Sequence, residues 1–377
     1  SDEIQLVAVR DGGKQIYATN QADNVHLIEY AYDTAKKGNF DNKTLGKYLA
    51  GKTVSLGYSM GSYTDVLQGK SSVKDFETML DLVYATFCQL GDDKAAYDAD
   101  ASRTRAMLAN QEKNPMFTFQ KKQVLSMYNN PLLDIISPAN VDKASYPQMM
   151  TMLRNVFANA ADYTFIVVGN VNQETLVPML EKYVASLPSK GKAAAPKAVT
   201  KMGAVTGLVD EAFDQTMQTP STMVLDCYNG MMNYSVQADV MVDIFGDILS
   251  NVFTETIREE EGGSYSPYAY AYFDVNENRW YLVEVIQTNA EMRDKVMARA
   301  NEETLKLMKN GANADQFNKV REAALKQFEI NERTNSYWVN GLMRNVRGID
   351  TMTGRRAAIE NLTLEQFNAF INTHWNG

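Results

Sequence analysis

The chain has 377 residues, 45% hydrophobic and 22% charged, with 22 Gly, 9 Pro and 2 Cys. At about 100–200 residues per domain, that length implies two or three domains whose cores need no disulfide or metal staple. The composition excludes disorder, collagen and a cysteine-stapled miniprotein, and no stretch approaches the ~18 unbroken apolar residues of a membrane helix.

Formal charge is −9, with 21 acids and 19 bases up to and including residue 190 and 25 acids and 18 bases after it. No block of Lys or Arg stands out, which argues against a groove that tracks nucleic-acid phosphates. Cys88 and Cys227 lie far apart in apolar settings, so two free thiols are expected rather than a bridge. Ser1 opens the chain without Met or a signal peptide. Either the mature protein begins there or the sequence is a piece of something longer.

IQLVAVR (4–10) reads as a first strand, followed by a Gly-Gly turn and a helix from about Val25 to Lys37. DNKTLGKYLAG (41–51) reads as a short helix, with Asp41 as N-cap and Gly51 as C-cap. Residues 53–69 carry a hairpin signal with a turn near Gly61. Residues 72–90 place Phe76, Met79, Leu80, Val83 and Phe87 at helical spacing. Helices around 94–112 and 145–157 precede a buried strand, YTFIVVGNV (163–171), and a helix over 174–188 stopped by Pro188. SKGKAAAPKAVT (189–200) is the one linker-like stretch.

The second half repeats the order of element types. A strand (222–228) leads to a helix (233–258), two strands (264–275 and 279–288), a helix (290–309) stopped at Gly311, one long helix (313–345) and a last helix (362–375) capped by Thr363. The expected fold is α+β with two homologous domains, each an antiparallel sheet packed against a layer of helices. The expected domains are residues 1–188 and 200–377, joined by a linker at 189–199. The order of elements is not the alternating pattern of a dinucleotide-binding fold.

Chemistry has few places to sit. The only histidines are His26 and His374. GYSMG (57–61) resembles a nucleophile-elbow string but falls inside a hairpin, and no P-loop, G-x-G-x-x-G or C-x-x-C is present. His26-Leu27-Ile28-Glu29-Tyr30 is the one metal-like string, because residues three apart share a helix face. A tetrahedral zinc site needs at least three protein ligands, and here the second histidine of an H-x-x-E-H motif is Tyr30. Taken alone, His26 and Glu29 read as a surface histidine with a helical neighbour. Arg258-Glu-Glu-Glu-Gly-Gly-Ser-Tyr265 is the second string. Taken alone it reads as a helix-end arginine favoured by the macrodipole and a strand-opening tyrosine.

Three segments together resemble the pitrilysin-like zinc peptidases, the inverzincins. They are HLIEYAYDTAKKGNFDNKTLGKYLAG, the strand-Gly-helix segment YTFIVVGNVNQETLVPMLEKYVASLP, and REEEGGSYSPYAYAYF. The resemblance implies one of two homologous halves, specifically the zinc-free C-terminal half. It implies that His26 and Glu29 are remnants of a metal motif lost at Tyr30. The region that would supply the third ligand, Met107–Gln111, holds no carboxylate, and Glu112 is the nearest. This chain alone is therefore expected to bind no zinc and to cleave nothing, with zinc held in a missing N-terminal half or partner subunit. Arg258 and Tyr265 are implied to reach toward that zinc and bind peptide substrate in its transition state. The alternatives are a separate non-catalytic subunit of a heterodimeric peptidase and a peptide-binding scaffold without catalysis. A bacterial periplasmic or cell-envelope location is also implied, without membrane insertion. The chain stops after THWNG, where the first half continues into its YTFIVVG strand.

Overall fold

The computed structural model describes residues 2–260 and 266–375. The chain divides into two compact units, residues 1–213 with 338–347, and residues 214–337 with 348–377.

The first unit is built on β1 (Glu3–Asp11). After α1 (Ala22–Thr34), β2 (Lys36–Lys37) and α2 (Asn42–Tyr48) come the hairpin strands β3 (Val54–Met60) and β4 (Thr64–Ser72). Asp41 caps α2 by accepting from the Thr44 amide at 2.7 Å, as its position predicts. α3 (Phe76–Cys88), β5 (Leu90–Gly91), α4 (Lys94–Gln111), α5 (Pro115–Tyr128), α6 (Pro138–Lys143) and α7 (Tyr146–Val156) lead to β6 (Thr164–Gly169) and α8 (Gln173–Tyr183). The sheet order is β3-β4-β1-β6, every pair antiparallel.

Successive strand residues face opposite sides, and β1 buries both. Ile4, Leu6 and Ala8 join Leu27, Ile28, Leu67, Met79 and Phe157 in the main core. Val7 and Val9 face the other way and pack with Ile166 and Val339. Val339 belongs to the returning segment 338–347, which supplies a cover for that face together with Leu342 and Met343. Arg347 clasps Asp11 at 2.6 Å at the end of this cover.

The Gly-Gly turn after β1 is fixed by Asp65, a fully buried residue of β4 that lies opposite Arg10 in the ladder. Its carboxylate accepts from Arg10 Nε at 3.0 Å, the Gly13 amide at 3.1 Å and the Tyr58 hydroxyl at 2.6 Å. A buried charge persists only when paired and hydrogen-bonded in this way. Gly13 holds φ +65°, and a Cβ there would meet the Gly61 carbonyl at 2.3 Å.

The first unit does not stop at the expected linker. Thr200 and Val199 donate their amides to the Gln15 carbonyl, and Met202 is buried in the main core. The unit runs on to Phe213, which stacks near Phe119.

The second unit carries β7 (Thr222–Met231), α9 (Val236–Phe253), β8 (Tyr268–Asp274) and β9 (Arg279–Thr288), with the antiparallel order β7-β9-β8. α10 (Arg293–Asn310), α11 (Ala314–Asn331), α12 (Asn335–Asn345), α13 (Arg355–Glu360) and α14 (Leu364–His374) follow. Phe245, Trp280, Leu282, Phe317 and Phe367 form its core, with Phe245 stacked on Trp375 at 4.3 Å. Gly246 lets α9 lie directly on β8, since a Cβ would meet the Ala271 amide nitrogen at 2.3 Å. Thr363 caps α14 in a capping box with Gln366.

The α+β class is as expected, with helices against antiparallel sheets in both units. One expected long helix, 313–345, is instead two. α11 ends at Asn331, and Thr334 starts α12 afresh by accepting from the Tyr337 amide. A threonine whose hydroxyl competes for backbone groups favours a cap over a helix interior. The helix expected to stop at Pro188 ends at Tyr183. Cys88 and Cys227 are free thiols.

Candidate functional site

α1 presents the metal-like string, and the structure sends its members to separate partners. The His26 ring nitrogen Nε2 lies 2.8 Å from the Pro131 carbonyl. A carbonyl can only accept, so that nitrogen carries the proton and donates. Burial pushes the imidazole below its ordinary pKa, the Pro131 contact opposes this, and the charge of Lys14 adds to it. Glu29 Oε1 accepts the Met60 amide at 2.8 Å, pinning the end of β3 to α1. Tyr30 packs half-buried against the main core. Burial first, then the charges of Asp100, Glu29 and Asp33, hold its phenol above the ordinary range.

This set does not fit zinc. The motif's one histidine spends Nε2 on a backbone carbonyl, its glutamate holds an amide, and a phenol stands third. Among the described residues no group of three His, Cys, Asp or Glu side chains is arranged to hold a metal ion. Lys14 also acts on both His26 and Glu29, so a divalent cation would enter against a charge already in place. The carboxylate that α4 brings to bear on Tyr30 is Asp100, paired with Arg103 at 2.7 Å. The expected stretch Met107–Gln111 contributes no ligand: Met107 is exposed and Leu108 is core.

Arg258 lies in a π-helical stretch, Thr254–Glu260, that continues α9. Ile257 is fully buried on its inner side while Arg258 is exposed. Such wide turns recur at functional positions because they rotate a side chain out of helical phase. Tyr265 lies outside the described residues.

Two polar groups escaped the sequence reading. Lys14 follows the Gly-Gly turn and carried no motif. Glu284 sits on β9 among Trp280, Leu282 and Ile286, the core-facing alternation, and is 1% exposed. Thr304 on α10 donates to its Oε1 at 2.8 Å, while Oε2 is buried without a hydrogen-bond partner. Asp226 is its register partner on β7. Burial drives the Glu284 carboxyl up to about 8, with Thr304 opposing and Asp226 reinforcing the shift. A polar residue at a core position of a period-2 pattern was the available signal.

Two α+β units, with no metal-holding group among the described residues, are the features to set beside known proteins. The family model described as the peptidase M16 inactive domain matches residues 151–324. The chain is 18% identical over 376 residues to the probable zinc protease PqqL of Escherichia coli K12, covering 99% of this chain and 40% of that protein. The crystal structure of periplasmic PqqL from E. coli superposes with a TM-score of 0.85 at 16% identity, covering all of this chain and 42% of that one. A peptidase M16 inactive domain from Pseudomonas fluorescens gives a TM-score of 0.76 at 16% identity, covering 100% and 90%. The chain thus spans about two fifths of the length of its E. coli relative.

Proposed function

We propose that this chain is the non-catalytic half of a pitrilysin-like zinc endopeptidase and works by enclosing and positioning a peptide for zinc held in another half. The observation that carries this reading is the state of α1. Its motif is retained at His26 and Glu29, yet both are committed to backbone groups and Tyr30 stands where a ligand is needed. The relationship to PqqL supports a periplasmic setting. In this reading Arg258 and Tyr265 supply what an attacked carbonyl requires, a guanidinium fork and a phenol donor aimed at developing oxygen charge. Neither group performs hydrolysis by itself, since arginine stays protonated and an ordinary tyrosine titrates near about 10.

The test is turnover of an unfolded peptide by the complete enzyme carrying Arg258→Ala or Tyr265→Phe. Loss of one such donor typically costs about 100- to 1,000-fold in kcat, with the circular dichroism spectrum unchanged. Wild-type turnover in both variants would return these residues to a helix-end arginine and a strand tyrosine. Peptide capture without any cleavage by the complete protein would favour a scaffold.

A further inference from the structure

We propose that the outer face of β8, where Tyr268, Tyr270 and Tyr272 stack into a ladder, docks an extended polypeptide that carries arginine or lysine at alternate positions. Such a surface deepens the peptide-enclosing reading, on which it rests, by naming the side chains the peptide presents.

Strand residues alternate between the two faces of a sheet. Ala269 and Phe273 point into the core of the second unit, and Ala271 packs against it. The three tyrosines between them take the opposite face. Tyr268 and Tyr270 are 45% and 40% exposed, and Tyr272 lies half-buried against Tyr281 of β9 at 4.9 Å. Successive rings of the ladder are 6.2 Å apart and within 21° of parallel. Beside them on β9 the register places Val285, Val283 and Tyr281. The first unit threads its hairpin and first strand in the same chain order, so β3 is the counterpart of β8. On that strand the exposed positions are Ser55, Gly57 and Ser59, and the fold therefore needs no aromatic rings there. Exposed apolar residues scattered singly are ordinary, but a contiguous row of them marks an interaction surface.

Spacing and charge name the occupant. Side chains on one side of an extended chain recur about every 6.6–6.8 Å. That is close to the ring spacing, so alternate side chains of a peptide laid along β8 meet successive rings. Tyrosine offers rigid contact area at low entropic cost, which suits partners of varied sequence. A ring face attracts a guanidinium or ammonium within about 6 Å of its centre. The charge balance selects the same groups. The second unit holds 23 acids against 13 bases, and the first holds 23 against 24. Residues 202–294, which include all three strands of the second sheet, hold 16 acids, three arginines and no lysine. Cationic side chains are drawn to such a field. Arg279, the one cation on these strands, is held by Asn229 and Glu277. In the chain the ladder follows Tyr265, the proposed substrate contact, by three positions.

The probes are two labelled peptides of about twelve residues and one composition, with arginine and alanine alternating in the first and grouped in pairs in the second. Pairing leaves an arginine at every second ring only. Fluorescence anisotropy measures binding to the full chain at about 0.15 M salt. The alternating peptide should bind about ten-fold tighter than the paired one, as several modest cation–π contacts acting together give. Tyr268→Ser with Tyr270→Ser, the small residue type found on β3, should erase that preference. Tyr268→Phe with Tyr270→Phe should keep it, and both double variants should melt near wild type. A peptide alternating glutamate and alanine should not bind. Equal binding of the two arginine peptides would show diffuse charge attraction and overturn the proposal. So would a serine pair that binds as wild type does, or a glutamate peptide held as tightly. Binding needs neither zinc nor cleavage, so the two readings fail separately. Turnover by the complete enzyme alongside equal binding would sink the ladder alone. An alternation preference in a complete protein without turnover would sink the peptidase reading alone.

Discussion

Replacing Glu284 with glutamine should make the protein less sensitive to alkaline pH. Glu284 is 1% exposed, and its carboxyl is pushed from an ordinary 4.5 up to about 8. A group whose folded pKa is raised stabilises the fold fully below its unfolded pKa, and that stability is lost as pH rises through the folded value. The window therefore runs from about pH 4.5 to 8. One pKa unit is about 1.4 kcal/mol, so the full loss is roughly 5 kcal/mol, of which about 3 kcal/mol falls between pH 5.5 and 9. A glutamine side chain never ionises, and its amide oxygen can still accept from Thr304. Urea unfolding of wild type and Glu284→Gln at half-unit steps from about pH 5.5 to 9 measures the difference, because other titrations cancel. Glu284→Gln should gain on wild type steadily, by about 3 kcal/mol in all. Parallel stability curves would show that Glu284 ionises at no cost, through solvent entry or a rearranged Asp226, and the burial argument would fail.

The other expectations concern the first unit and the metal. Val339→Asp, placing an unpaired carboxylate against Val7, Val9 and Ile166, should cost about 3 kcal/mol or more in chemical denaturation. A cost below about 1 kcal/mol would mean that the cover over this face is loose. Gly13→Ala should cost more than about 2 kcal/mol, combining left-handed strain with collision at the Gly61 carbonyl; stability equal to wild type would refute the close approach. Protein stripped of metal and reloaded with zinc should hold no stoichiometric ion by elemental analysis, given that His26 and Glu29 are already engaged. One tight zinc per chain would contradict that.

Local chemistry made much of this legible in the sequence. Asp41 and Thr363 stood where caps must stand, and β9 announced itself by ten residues without a breaker. What escaped was decided at a distance. The helices α5, α6 and α13 have short or weakly patterned apolar faces, so period alone did not separate them from loop. The break between α11 and α12 turns on one threonine hydroxyl. The motif on α1 could be read as incomplete from Tyr30, but the commitment of His26 to Pro131 and of Glu29 to Met60 depends on residues 105 and 31 positions away. Lys14 gave no signal because its effect on both arises from folding alone.

The return of residues 338–347 to the first unit bears on how the chain acquires its shape. Val7 and Val339 meet although 332 positions separate them, so the cover over β1 closes only after the chain has been made past residue 347. Contacts of such sequence separation form late and slow the approach to the native state. During synthesis the nascent first unit would display Val7, Val9 and Ile166 to water, a stripe that other emerging chains or a holdase can grip. An excised piece ending at Phe213 would keep that stripe permanently bare, and its yield in soluble form should fall well below that of the intact chain.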